Sequence, residues 1–97
     1  MRSLLWTGRA KADLQAIHDY IREDSEHYAG VVAGRILQIA ERAREFPQAG
    51  RVVPELGDAT VREFLSGPYR VVYRIVDANA IHVLTIYHAA RRFPGSL

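Results

Sequence analysis

The sequence predicts an α+β domain in which a helical hairpin packs on one face of a small antiparallel sheet of about four strands. Three observations carry this. Apolar residues recur at helical spacing from Ala10 to Ala43, in two runs separated by a polar break. Phe46-Pro47 closes the second run, because proline disfavours helical geometry in the residue before it. From Val61 onward the apolar period drops to two and is interrupted by two turn-like segments.

In chain order, Ser3–Trp6 is a short apolar run that suits an edge or central strand. Thr7 then offers an N-cap, its hydroxyl accepting from a free N–H of the first turn. Ala10, Leu14, Ile17 and Ile21 follow at spacings of four, three and four, opposite Lys11, Asp19 and Glu23. This helix is expected to end near Asp24–Ser25. A second runs from about His27 to Glu45, with Val32, Ile36, Ile39, Ala40 and Ala43 as its apolar stripe. Gln48–Thr60, rich in Gly, Pro and Asp, reads as an irregular connection. Val61–Leu65, Tyr69–Val76 and Ala80–His88 read as strands, joined through Ser66-Gly67-Pro68 and Asp77-Ala78-Asn79. Alternation puts Tyr69, Val71, Tyr73 and Ile75 under the helices and leaves Arg70 and Arg74 on the open sheet face. Tyr20, Tyr28 and Tyr73 are expected in the core or between the helices, and His18 and His27 at the surface.

At 97 residues the chain is read as one domain, 1–97, with a modest core that a partner would help to complete. The net charge is only +2, but the halves differ. Residues 51–97 hold six arginines against four acids, and Lys11 is the only lysine. A guanidinium fork grips phosphate or carboxylate in bidentate fashion. The absence of cysteine excludes disulfides and thiolate zinc sites, and no His/Asp/Glu set has metal-ligand spacing. No cofactor or metal is expected. No run is long enough for a signal peptide's apolar region or a membrane span, so the expected compartment is the cytoplasm. The four serines lack the strained elbow of a serine hydrolase.

The residues that bear on chemistry are Glu55, Arg62, Arg70, Arg74, His88 and Arg91. A histidine, a carboxylate and several arginines suffice for metal-free RNA cleavage. A base takes the 2′-hydroxyl proton, arginines stabilise charge building on phosphorus, and an acid protonates the leaving oxygen. In that scheme His88 transfers protons, Arg70 clamps the phosphate, and Glu55 is the base if residues 50–57 fold back over the sheet. Arg62, Arg74 and Arg91 are candidate phosphate- or partner-binding residues. The competing reading makes Arg62-Glu63 and Arg70/Arg74 cross-strand ion pairs, and His82 a filler of a strand position.

The pattern Trp6-Thr7, Ala10, Asp13-Leu14, Ile17, Tyr20-Ile21 resembles the opening of ParE-type toxins. Gly50-Arg51-Val52-Val53-Pro54-Glu55-Leu56, Val61-Arg62-Glu63, Tyr69-Arg70-Val71-Val72-Tyr73 and His88-Ala89-Ala90-Arg91 extend the likeness over nearly the whole chain. The resemblance is to the RelE/ParE superfamily of bacterial toxins, nearest its ParE type. It implies a cognate antitoxin whose C-terminal segment wraps the toxin; the expected binding site is the outer face of the helical hairpin together with the open sheet face that bears Arg70 and Arg74. For the target it implies DNA gyrase in ParE-like members and ribosome-bound mRNA in RelE- and YoeB-like ones. Glu55, Arg70 and His88 are similar in order to a YoeB-type catalytic set, but Ala89 stands where that subgroup has a tyrosine. RelE's lysine-rich surface has no counterpart here. The expectation is therefore a gyrase-inhibiting toxin. The alternatives are a ribosome-dependent endonuclease and a non-toxic relic that binds only the antitoxin.

Overall fold

A computed structural model describes all residues from Met1 to Leu97. The first strand, β1 (Ser3–Trp6), leads into α1 (Gly8–Arg22) and α2 (Glu26–Glu45). After a 3₁₀ turn at Pro47–Ala49 come β2 (Arg51–Val52), β3 (Val61–Ser66), β4 (Tyr69–Asp77) and β5 (Ala80–His88). Both helix starts follow from capping: Thr7 accepts from the Ala10 N–H and Ser25 from the Tyr28 N–H, each at 3.1 Å. Glu26, one residue before the expected start, opens α2 because Ser25 occupies the cap.

The strands form one sheet in the order β1-β5-β4-β3-β2. Its three right-hand pairings are antiparallel, whereas β1 runs parallel to β5, with Leu4 beside Ile81 and Trp6 beside Val83. The sheet is thus mixed and five-stranded rather than antiparallel with about four strands. The extra strand, β2, lies inside the stretch expected to be irregular. The two residues of β2 are too few to express a period of two. The β3–β4 register runs from Val61 opposite Arg74 to Ser66 opposite Tyr69, around a turn where Gly67 takes φ +55°.

Val32, Ile36 and Ala40 of α2 and Ala10 of α1 pack on Val71, Val83 and Ile86, with Leu4, Trp6, Leu14, Ile17 and Ile21 around them. Asp13 ties α1 to the sheet by accepting from the Thr85 hydroxyl at 2.5 Å and the Ile86 N–H at 3.1 Å. Tyr73 lies beneath α2, its hydroxyl donating to the Pro47 carbonyl at 2.6 Å. Gly50 is required beside it, since a Cβ there would lie 2.2 Å from that hydroxyl.

Two expectations fail. Tyr20 and Tyr28 are 74% and 51% exposed rather than packed in the core. The sheet face opposite the helices is also not open. Val53, Val61, Val72 and Tyr87 make a second small core there, joined by Leu84 and Phe93. Val71, Val72 and Tyr73 are therefore all fully buried in β4, on both faces. Alternation within one strand cannot reveal this, because the covering atoms come from the β2–β3 connection and from residues after β5. No helix is long and apolar enough to cross a membrane.

Candidate functional site

The chemistry-bearing side chains gather on the face away from the helices, around Arg70. Leu65 lies opposite Arg70 and Val72 opposite Glu63, so Glu63 and Arg70 project from the same face of neighbouring strands. Across β5, Arg70 pairs with Tyr87. The segment after β2 folds over this face and is pinned there. Val53 N–H donates to the Val61 carbonyl, Gly57 (φ +62°) allows the sharp turn, and Asp58 accepts from the Thr60 N–H and hydroxyl. These hydrogen bonds hold the Asp58 carboxyl below the usual range.

The fold-back brings Glu55 to Arg70. Arg70 donates two bonds of 2.8 Å to the two oxygens of Glu55, a bidentate fork, and Nε donates to Glu63 at 2.5 Å. Arg51 donates to the other oxygen of Glu63, so two arginines and two carboxylates alternate in one neutral network. The Arg70 guanidinium also lies over the rings of Tyr87 and Phe93, 5.0 and 5.6 Å from their centroids. The Glu63 side chain is fully buried and that of Arg70 is 8% exposed, whereas that of Glu55 is 38% exposed.

Electrostatics follow from these contacts. The hydrogen bonds from Arg70 outweigh desolvation and lower the Glu55 carboxyl to about 2. The same pair raises Arg70 further above its ordinary value. Burial pushes the Tyr87 hydroxyl up to about 12, and its oxygen is buried without a hydrogen-bond partner. Glu55 is thus held as a carboxylate with each oxygen bonded to Arg70, and Arg70 has both edges of its fork occupied. Arg70, expected to be exposed for a phosphate, is an internal cation.

His88 is not part of this cluster. It pairs with Tyr69, on the face that carries Val71 and Ile86 under the helices, while Tyr87 beside it takes the Arg70 face. Its ring meets that of Tyr69 edge-on at 5.6 Å, and its Nδ1 accepts from the Ala90 N–H at 3.1 Å. The structure therefore joins Glu55 to Arg70 and separates both from His88 by the thickness of the sheet.

The other arginines divide. Arg62 is committed to the carbonyls of Gln48, Gly50 and Ala59, closing the turn before β2. Arg74 is half-exposed near Asp58, 3.9 Å away, and pairs across β5 with His82, which occupies a strand position as expected. Arg91 is exposed beyond the end of β5. Arg51, Glu63, Tyr87 and Phe93 were not singled out by the sequence as site residues. Counting register outward from the Gly67 turn would have found Glu63. Phe93, beyond the last strand, carries no periodic signal.

A family model for the ParE toxin of the type II toxin-antitoxin system parDE matches residues 4–93. A curated relative, toxin RelE2 of Caulobacter vibrioides, is 40% identical over 91 residues, covering 94% of this chain and 99% of that protein. Among solved structures, a chain of the chromosomal ParDE toxin-antitoxin system of P. aeruginosa superposes with a TM-score of 0.73 at 27% identity. That match spans 91% of this chain and 96% of the other. A chain of the RelBE2 toxin–antitoxin complex of Mycobacterium tuberculosis shares the fold, with a TM-score of 0.64 at 22% identity over 90% of this chain and 96% of that one. The helical pair on a five-stranded sheet, the match over nearly the full length and the 40% identical relative lead to one conclusion: the chain belongs to the ParE toxin family of type II toxin–antitoxin systems.

Proposed function

We propose that this toxin arrests growth by binding DNA gyrase, without cutting RNA, and that a cognate antitoxin neutralises it. The observation that supports this reading is the separation of Glu55 and Arg70 from His88. A phosphate clamp needs a guanidinium with a free edge, and a general base needs a pKa near the working pH, which the Glu55 carboxyl, lowered to about 2, does not have. Arg70 and Glu55 satisfy each other instead, and His88 faces the opposite side. Growth arrest by this fold then rests on the surface it presents to a macromolecule.

For the antitoxin, the helical hairpin offers an apolar groove lined by Trp6, Leu14, Ala33 and Leu37, with the Lys11 ammonium and His18 beside it. An amphipathic acidic C-terminal segment matches that combination of apolar floor and cation. On the sheet face Arg51 and Arg74 remain reachable, whereas Glu55, Phe93 and Tyr87 enclose Arg70.

The test is induction of the toxin without antitoxin in cells carrying a reporter plasmid. The expected outcome is growth arrest with plasmid DNA losing negative supercoils and transcripts left intact. Cleavage of transcripts at ribosomal A-site positions, abolished by His88→Ala, would sink the proposal. Unimpaired growth would identify a protein that only binds its antitoxin.

A further inference from the structure

At the far end of the sheet, on the helix side, a cleft of about 560 Å³ opens between α1 and the start of β4 and end of β5. We infer that it binds single-stranded nucleic acid, stacking bases on Tyr20, Tyr69 and His88 and holding phosphates with Arg91 and Arg92. The inference rests on the gyrase reading for its setting, since a gyrase inhibitor works beside DNA, but its chemistry stands on the cleft alone.

Four observations carry it. Tyr20, Tyr69 and His88 all line the cleft, and Tyr20 presents most of its ring to solvent without packing in either helical interface. The only carboxylate in the lining, Asp13, is consumed by the Thr85 hydroxyl and the Ile86 N–H, so it does not repel an anion as a free acid would. Arg91 lines the cleft and Arg92 follows it; both are exposed, and neither enters any ion pair of the structure. The His88 Nδ1 accepts from the Ala90 N–H, which fixes the ring and leaves Nε2 as its donor. Aromatic faces beside unpaired guanidiniums are the arrangement that binds a single strand, since every base has a π-face and every residue of the strand a phosphate. The volume falls within the roughly 300–1,000 Å³ of small-molecule sites. An acidic peptide would satisfy the arginines but gives no reason for one exposed and two part-buried rings around one cleft.

The experiment measures fluorescence anisotropy of labelled twelve-nucleotide DNA and RNA single strands with the purified full chain, between 50 and 200 mM salt. Binding of both strands is expected, because neither stacking nor phosphate contact requires a 2′-hydroxyl. Tyr20→Ala should weaken binding on the order of tenfold, the loss of one stacked base. Tyr20 is exposed, so that variant keeps its fold, which circular dichroism verifies. Replacing Arg91 and Arg92 together by glutamine should lower the slope of log affinity against log salt by about 1.4, roughly 0.7 for each phosphate released. Absence of binding, binding of RNA alone, binding only of an acidic peptide, or a strand affinity indifferent to both variants would overturn the inference. A toxin that inhibits gyrase yet ignores the oligonucleotides would refute the cleft and leave the gyrase reading standing. Oligonucleotide binding without gyrase inhibition would do the reverse.

Discussion

Replacing Arg70 by methionine removes the charge while keeping an unbranched stem between Tyr87 and Phe93. Three hydrogen bonds to carboxylates and two ring contacts are lost at once. Glu55 is partly exposed and regains water, so its share of the loss is small. Glu63 cannot, because its side chain is fully buried and only Arg51 remains beside it. Breaking a buried pair on one side costs about 3–5 kcal/mol. That is a large fraction of the roughly 5–15 kcal/mol by which a domain is stable. Each kcal/mol moves the melting point of a domain this size by about 4–8 °C, so the midpoint should fall by at least about 12 °C. Urea unfolding followed by circular dichroism reads the loss directly. Adding Glu63→Gln to Arg70→Met should cost less than the sum of the single changes, because the stranded charge is then gone. An Arg70→Met protein within about 0.5 kcal/mol of the parent, the range of ordinary surface substitutions, would refute the assignment of Arg70 as an internal cation.

Three further outcomes follow from the same contacts. Since the folded Glu55 carboxyl titrates at about 2 and the unfolded one near 4.5, the pair stabilises the fold above pH 4.5 and is lost as the pH falls toward 2. After discounting for solvent exposure this amounts to about 1 kcal/mol; urea midpoints at pH 5 and 2.5 should fall less in Glu55→Gln than in the parent, and equal falls would contradict the linkage. Gly50→Ala places a methyl against the Tyr73 hydroxyl and the Glu63 carbonyl, and should cost about 1–3 kcal/mol by thermal melting; an unchanged midpoint would show that the turn before β2 yields freely. Tyr87→Phe removes a buried hydroxyl that has no partner, and should leave stability unchanged or raise it by up to about 1 kcal/mol; a clear loss would mean that the hydroxyl is bonded after all.

Much of the architecture was legible because it depends on local periodicity. The stripes Ala10–Ile21 and Val32–Ala43, the cap Thr7 and the Gly67 turn each dictate their element with little tertiary help. What was illegible depends on long-range closure. The parallel pairing of β1 with β5 joins the two ends of the chain, and β2 exists only because β3 offers it an edge. The site shows the same division. Alternation put Arg70 on the correct face, but a face counts as open only until something covers it. Here Val53, Glu55 and Phe93 do so from outside the strand. His88 and Glu55 are close in the ordering of a nuclease set and far apart in space, because one residue of register in β5 sends His88 to the other side of the sheet.

The most direct test of the gyrase reading uses purified components. DNA gyrase, relaxed plasmid and ATP are mixed with increasing amounts of the toxin, and supercoiled product is resolved on a gel. The account predicts loss of supercoiling at near-stoichiometric toxin, reversed by the cognate antitoxin. Full supercoiling activity at large stoichiometric excess of a folded toxin would contradict it.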